Sequence, residues 1–247
     1  MEKKFGEFFK DPNYLIIKNS LFNYQNRKTE IKNEFFSYCT NKTKDIRALD
    51  IGSGISPASP IPDKTLFMDL SLGGVNFLSN LGLNAKQGSI TDIPEKENEF
   101  DWIFCSEVLE HVEDYNKAIA ELHRVLKYSG KIIITVPVHM KYWNKDDEFV
   151  EHYRRFNPDE LKKELKYAGF KILKEKPIGS FVDKYLTLLT VLVFNKSNKS
   201  NKSNKSLSNF KKEAILFVNK IFYNLVRFSL FFTSKKSTNI MMYVCEK

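Results

Sequence analysis

Short apolar runs separated by longer polar segments with helical spacing set the rhythm of this chain. Ile46–Ile51, Thr65–Asp69, Asn84–Gln87, Phe100–Cys105 and Lys131–Val136 have the length and apolar content of buried strands. The segments Leu72–Leu81 and Tyr115–Lys127 between them predict helices, the second stopping at the helix-ending pair Ser129-Gly130. Asn157-Pro158 predicts a helix with Asn157 as its cap and proline in its first turn, running to Ala168-Gly169. Phe170–Lys176 and Asn239–Glu246 predict two further strands, and spaced apolar positions over 13–38 predict one or two helices at the start.

This alternation predicts an α/β fold. The expected form is a Rossmann-like, doubly wound and mostly parallel sheet, with an antiparallel last strand and a helical insertion before it. Residues 1–45 are expected to form a helical cap, 46–178 with 239–247 the core, and 179–238 the insertion. Four tandem Asn-Lys-Ser triplets at Asn195–Ser206 read as a linker inside that insertion. Ligands of such sheets sit beyond the carboxyl ends of the strands, so the loops after Ile51, Asp69, Gln87, Cys105 and Val136 are where chemistry is expected.

Charge changes this picture in one place. The net charge is +9 over 247 residues, yet residues 184–247 carry 12 Lys/Arg against 2 Asp/Glu, and the preceding body is close to neutral. That pattern disfavours a nucleic-acid-binding body and predicts one basic attachment surface. Cys39, Cys105 and Cys245 are odd in number and lack metal-type spacing, so reduced thiols are expected. The N-terminal stretch has no apolar run of signal-peptide type, and the longest apolar run, Tyr185–Phe194, is half the roughly 20 residues of a spanning helix. The expected location is cytoplasmic, with a peripheral seat on the inner face of a membrane left open.

The candidate chemistry begins at Leu49-Asp-Ile-Gly-Ser-Gly54. Asp50, Gly52 and Gly54 give a tight turn after a strand, where missing side chains let a ligand approach the backbone. Asp69 ends the next strand, where a carboxylate can accept two ribose hydroxyls. A dinucleotide loop would want a third glycine and a long helix whose N-terminus meets phosphate. Here Ser56 stands in the third position, and Pro57, Pro60 and Pro62 oppose such a helix.

These elements resemble class I S-adenosylmethionine-dependent methyltransferases, in particular the methyltransferase type 11 group. The matching stretches are LDIGSG, LFMDLS, GSITDIPEKENEFDWIFCSEVLEHV, VLKYSGKIIITVP and HYRRFNPDELKKELKYAGF, over about residues 46–176. The resemblance implies that Gly52 and Gly54 border the methionine part of S-adenosyl-L-methionine and that Asp69 binds the ribose, with Asp50 and Leu70 also expected among the cofactor-binding residues. It places Ser89 and Ile90 at the adenine and Ser106 near the methionine end. Ser89 stands where the family usually has an acid, so a hydroxyl or Asp92 is expected to serve the adenine amino group.

Methyl transfer from a sulfonium needs an oriented acceptor and a proton acceptor. His111 and His152 are the candidate catalytic residues. Glu107, Glu110 and His111 would share one face of a helix, and with His152 they resemble the metal set of small-RNA 3′-terminal ribose and quinone-biosynthesis methyltransferases. A divalent metal is therefore an alternative, with a histidine base acting without metal as the favoured reading. Arg154 and Arg155 read either as an anion clamp or as partners of Asp146, Asp147 or Glu148, and Tyr142 and Trp143 as acceptor-site or lid aromatics.

In the insertion, Ala214, Phe217, Ile221, Leu225, Phe228 and Phe232 form an apolar stripe, with Lys212, Asn219, Lys220, Tyr223 and Arg227 on the other side. Two readings stay open: residues 207–233 lie on an anionic membrane surface, or they pack on protein. The acceptor is expected to be small or lipid-linked and methylated on oxygen. The alternatives are metal-assisted methylation of a vicinal diol or catechol, and a non-catalytic cofactor-binding scaffold at a membrane.

Overall fold

A computed structural model describes residues 21–39, 45–187 and 209–247. Seven strands form one sheet: β1 (Ala48–Ile51), β2 (Thr65–Asp69), β3 (Ala85–Gln87), β4 (Phe100–Ser106), β5 (Leu126–Pro137), β6 (Lys171–Pro177) and β7 (Ile240–Glu246). Their order is β3-β2-β1-β4-β5-β7-β6. The first five run parallel, and β7 lies antiparallel between β5 and β6. The helices are α1 (Phe22–Tyr38), α2 (Leu72–Asn80), α3 (Tyr115–Val125), α4 (Lys145–Phe149), α5 (Pro158–Tyr167), α6 (181–187) and α7 (Asn209–Leu230). The expected α/β sheet with its antiparallel last strand is present.

Strand periodicity divides the core into two layers. Leu49, Ile51, Ile103, Cys105, Ile132, Ile134 and Tyr243 point to one face, where Ile119 and Leu122 of α3 and Leu161 and Leu165 of α5 cover them. The intervening residues Ala48, Trp102, Phe104, Ile133, Met242 and Val244 point to the other face, under Ile31 and Phe35 of α1. Phe35 meets the Trp102 ring edge-on at 4.9 Å. The central strands are apolar on both sides because both faces are roofed.

Local signals explain several boundaries. Asn157 caps α5 by accepting from the Asp159 N–H at 3.0 Å, with Pro158 in the first turn. Asp114 caps α3 through the Lys117 N–H at 3.0 Å. No α-helix forms between β1 and β2; residues 52–64 cross as a loop with one 3-10 turn at Pro62–Lys64.

Two expectations require correction. The helix expected to end at Ser129-Gly130 stops at Val125, because Leu126 is buried and already pairs with Phe100 in the sheet. The next partners are Trp102 and Lys131, so residues 127–130 bulge out, with Ser129 at φ +60°. The second concerns Glu107–His111. Glu107 has φ +56°, and a 3-10 turn over Leu109–His111 follows it, so no α-helix aligns these residues. The upstream part of the 13–38 segment, the Asn-Lys-Ser triplets, and residues 188–194 of the apolar run lie outside the described residues.

Candidate active site

At the carboxyl end of β1 the two glycines differ in what they admit. Gly52 has φ +70°, and a Cβ there would lie 2.4 Å from a Val108 methyl, so the chain itself fills that space. Gly54 has φ +50°, and the nearest atom to a Cβ there would be Asp69 Oδ2 at 3.9 Å, which leaves its face open. Its N–H donates to Asp69 Oδ2 at 2.7 Å, while Asp69 Oδ1 accepts from Ser71 N–H at 2.8 Å. The carboxylate at the end of β2 is thereby fixed directly beside the glycine turn.

Asp50 does something else. It is buried, and its Oδ2 accepts from the N–H groups of Ala58 and Ser59 at 2.6 and 2.7 Å. Burial pushes its carboxyl up to about 7, against the opposing effect of those two hydrogen bonds and of nearby Lys28. It therefore ties down the proline loop. Leu70 is exposed, and its carbonyl accepts from Gln87 Nε2 at 3.0 Å. Ser89 pairs with the Thr91 hydroxyl at 2.9 Å and bridges to Asp92, whereas Ile90 is buried in the core.

Beyond β4 and β5 the polar groups converge from distant parts of the chain. The Ser106 and Thr135 hydroxyls lie 2.9 Å apart, and Thr135 donates to Glu107 Oε1 at 3.1 Å. Arg27 of α1 reaches Glu107 Oε2 at 3.5 Å while covering the Tyr24 ring. Glu110 is buried, and no other described residue hydrogen-bonds its carboxyl oxygens. Burial, reinforced by the Glu107 charge, pushes its carboxyl well above the ordinary range.

His152 lies against this acid. Its Nδ1 donates to Asp147 Oδ1 at 2.9 Å, and its Nε2 lies 3.9 Å from Glu110 Oε1. The His111 ring meets it edge-on, with centroids 4.5 Å apart. Asp147 also receives Arg155 at 2.7 Å, Lys184 at 3.3 Å and the Asn144 N–H at 2.9 Å. Burial alone would raise the Asp147 carboxyl, but the hydrogen bonds from His152 and Arg155 outweigh it and hold the group well below its usual range. An ionised acceptor at Nδ1 makes that nitrogen the donor and turns Nε2 toward Glu110 and His111.

The structure also places the remaining loop groups. Arg155 is the buried partner of Asp147, while Arg154 lies over the Tyr115 ring and donates to the Glu113 carbonyl at 2.9 Å. His139, Lys141 and Tyr142 donate to the carbonyls of Lys235, Lys236 and Ser237 at 2.8, 2.8 and 2.9 Å. The turn that closes the insertion thus fastens the loop after β5. Sequence reasoning misses Arg27, Lys184 and the buried Asp183, whose carboxyl burial pushes up to about 6. They come from helices outside the motif-bearing stretches and carry no local signature.

Residues 49–134 match the family model described as a methyltransferase domain, of type 11. Over this stretch the chain is similar to type 11 methyltransferase domains. An uncharacterized protein of Methanocaldococcus jannaschii is 33% identical over 138 residues, covering 53% of this chain and 57% of its own. The 2-methyl-6-phytyl-1,4-hydroquinone methyltransferase 1 of Oryza sativa is 27% identical over 110 residues, covering 40% of this chain and 30% of its own. Across the curated relatives the match spans between 28% and 66% of their lengths. A phosphoethanolamine N-methyltransferase of Haemonchus contortus, solved with S-adenosyl-L-methionine, shares the fold at TM-score 0.60 and 16% identity, covering 98% of this chain and 60% of its own.

S-adenosyl-L-methionine is the cofactor of such methyltransferase domains. The open face of Gly54 and the adjoining Asp69 carboxylate fit a nucleoside with two ribose hydroxyls. For a metal, one ligand atom each of Glu110, His111 and His152 lie within 4.8 Å of one another. Glu107 is not in that group and is directed to Arg27 and Thr135.

Proposed function

We propose that the chain is an S-adenosylmethionine-dependent methyltransferase that methylates an oxygen of a small or lipid-linked acceptor, with His152 as the proton acceptor. The observation that carries the catalytic part is the Asp147–His152 pair, which holds one ring nitrogen on the Asp147 carboxylate and turns the other toward Glu110 and His111. The cofactor, when bound, supplies an already activated methyl group. Asp69 accepts hydrogen bonds from the ribose, and Gly54 lets the methionine part approach the backbone. Leu70 flanks the ribose, Ser89 and Ile90 flank the adenine, and Ser106 stands at the methionine end. Asp50 and Gly52 act indirectly, by holding the loop and by admitting Val108.

His111 stands beside His152, and Glu110, whose carboxyl burial pushes well above its ordinary range, lies 3.9 Å from His152 Nε2, where it can orient the acceptor oxygen. General-base catalysis of this kind is worth about 10²–10⁴-fold, and orientation of the acceptor contributes on the order of 7–11 kcal/mol. The Oryza sativa relative, whose name specifies a phytyl hydroquinone, supports an apolar, oxygen-bearing acceptor class. The exposed apolar side chains of α7, Phe217, Phe228 and Phe232 among them, support a peripheral seat on a membrane.

Titration with adenosylhomocysteine and with NADH tests the cofactor assignment: binding of the first alone supports it, and binding of NADH alone overturns it. A second reading, metal-assisted methylation of a vicinal diol, is favoured by the spacing of Glu110, His111 and His152. Activity abolished by chelation and restored by Mn²⁺ or Mg²⁺ would establish it over the first. A scaffold without catalysis would bind adenosylhomocysteine and show its biological role intact in His152→Ala.

A further inference from the structure

We infer that the outward face of α7 docks on an acidic lipid bilayer and brings lipid-borne acceptors to the site; only the acceptor step rests on the methyltransferase reading. A surface helix of a globular protein normally turns its apolar stripe to the core. Here the arrangement is reversed. Phe217, Ile221, Leu225, Phe228 and Phe232 are exposed at 66%, 43%, 47%, 64% and 76%.

The opposite side of α7 is held to the protein by specific contacts, which fixes this orientation. Arg227 pairs with Glu30 of α1, and Tyr223 donates to the Thr29 hydroxyl at 3.3 Å. Ser229 donates to the Ser180 hydroxyl at 2.7 Å, Val226 is fully buried, and Phe222 meets Phe22 edge-on at 5.5 Å. Rotating the stripe inward would break all of these contacts.

Charge selects the occupant. Lys220, Lys235 and Lys236 on and after α7, and Lys141 beside the turn, are exposed. Of these, Lys235 also pairs with Glu175 at 2.8 Å. That surface complements anionic headgroups, whereas a second copy would set the same cations against themselves. Among the described residues no helix is long and apolar enough to cross a membrane, so α7 lies along the interface. The turn after α7 is hydrogen-bonded to residues 139–142 at the carboxyl end of β5, so docking places the acceptor loop at the lipid surface.

Co-sedimentation of the full chain with phosphatidylcholine vesicles, with and without phosphatidylglycerol, tests this. The expected result is binding to the mixed vesicles that is about tenfold weaker on pure phosphatidylcholine and falls with added salt. The triple variant Phe217→Ser, Phe228→Ser, Phe232→Ser loses sedimentation, and Lys220→Glu with Lys236→Glu lowers it about tenfold or more. Unchanged adenosylhomocysteine affinity would show that both variants are folded. No binding to mixed vesicles overturns the proposal. So does a wild-type dimer that the triple variant dissociates, which would make a second copy the occupant. Hydrogen exchange over 216–232 that is equally slow with and without vesicles also overturns it, since the chain would then cover its own stripe. Vesicle binding without adenosylhomocysteine binding leaves docking standing and sinks the methyltransferase reading alone.

Discussion

The two halves of the sheet use their carboxylates differently. On the β1–β2 side, Asp50 and Asp69 accept backbone N–H groups and shape loops: Asp50 from Ala58 and Ser59, Asp69 from Gly54 and Ser71. On the β4–β5 side, Asp147 and Glu107 mainly face side chains: Asp147 takes His152, Arg155 and Lys184 besides the Asn144 N–H, and Glu107 takes Arg27 and Thr135. The first half is a backbone cradle built from neighbouring residues. The second is an assembly of charges brought from α1, α4 and α6. On the proposed assignment, cofactor geometry is set locally, while acceptor chemistry depends on the whole fold.

This division is tested most severely at His152. His152→Ala is expected to lower kcat by about 10²–10⁴-fold, with adenosylhomocysteine affinity held within about threefold. Titration calorimetry beside steady-state rates checks it. Equal losses in both would mean that the two halves are one structural unit.

Asp50→Asn probes the cradle through pH. The folded carboxyl, at about 7, lies above its ordinary value of 3.8, so between those values the folded state keeps a proton that the unfolded chain has released. The contribution of this group is present below about pH 4 and is lost as pH rises through 7. An asparagine keeps an oxygen for the Ala58 and Ser59 amides and cannot ionise. The variant is expected to recover about 2–4 kcal/mol of the wild type's decline between acid and pH 8. Urea unfolding at pH 5 and pH 8 measures this, and parallel curves for the two proteins would show that Asp50 is not the group responsible.

Asp69→Ala should weaken adenosylhomocysteine by about 10–100-fold, the size expected for hydrogen bonds to a charged group, and leave sedimentation with acidic vesicles unchanged. Chelation should do least of all. Activity in excess EDTA should stay within about twofold of the untreated enzyme, and a larger loss would transfer Glu110, His111 and His152 to a metal.

Much of the first half is legible in the residues themselves. Leu49–Gly54, Asp69 and Asn157-Pro158 act through backbone turns and caps, which depend on residue type over a few positions. The role of Asp50 is less visible, because its partners lie eight and nine residues downstream in a loop with no period. The end of α3 is ambiguous in the sequence because the Ser129-Gly130 pair suits a sheet bulge as well as a helix stop, and only the pairing of Leu126 with Phe100 decides between them. In the second half, Asp147 and His152 are visible as chemistry but not as a pair. Arg27 and Lys184 give no signal at all, since their placement depends on how α1 and α6 dock. The α7 stripe is plain in the sequence, yet which way it faces is decided by contacts with α1 and residue 180 that no local pattern encodes.

The insertion begins and ends on adjoining antiparallel strands, and the Ile178 N–H already donates to the Ile240 carbonyl at 3.1 Å across its base. Its two ends are therefore joined whatever lies between them, and added length there costs little closure entropy. The β6–β7 connection acts as a socket. Through it, a lineage could exchange one surface-seeking appendage for another while the catalytic sheet keeps its register, so that where the enzyme works and what it does can evolve separately.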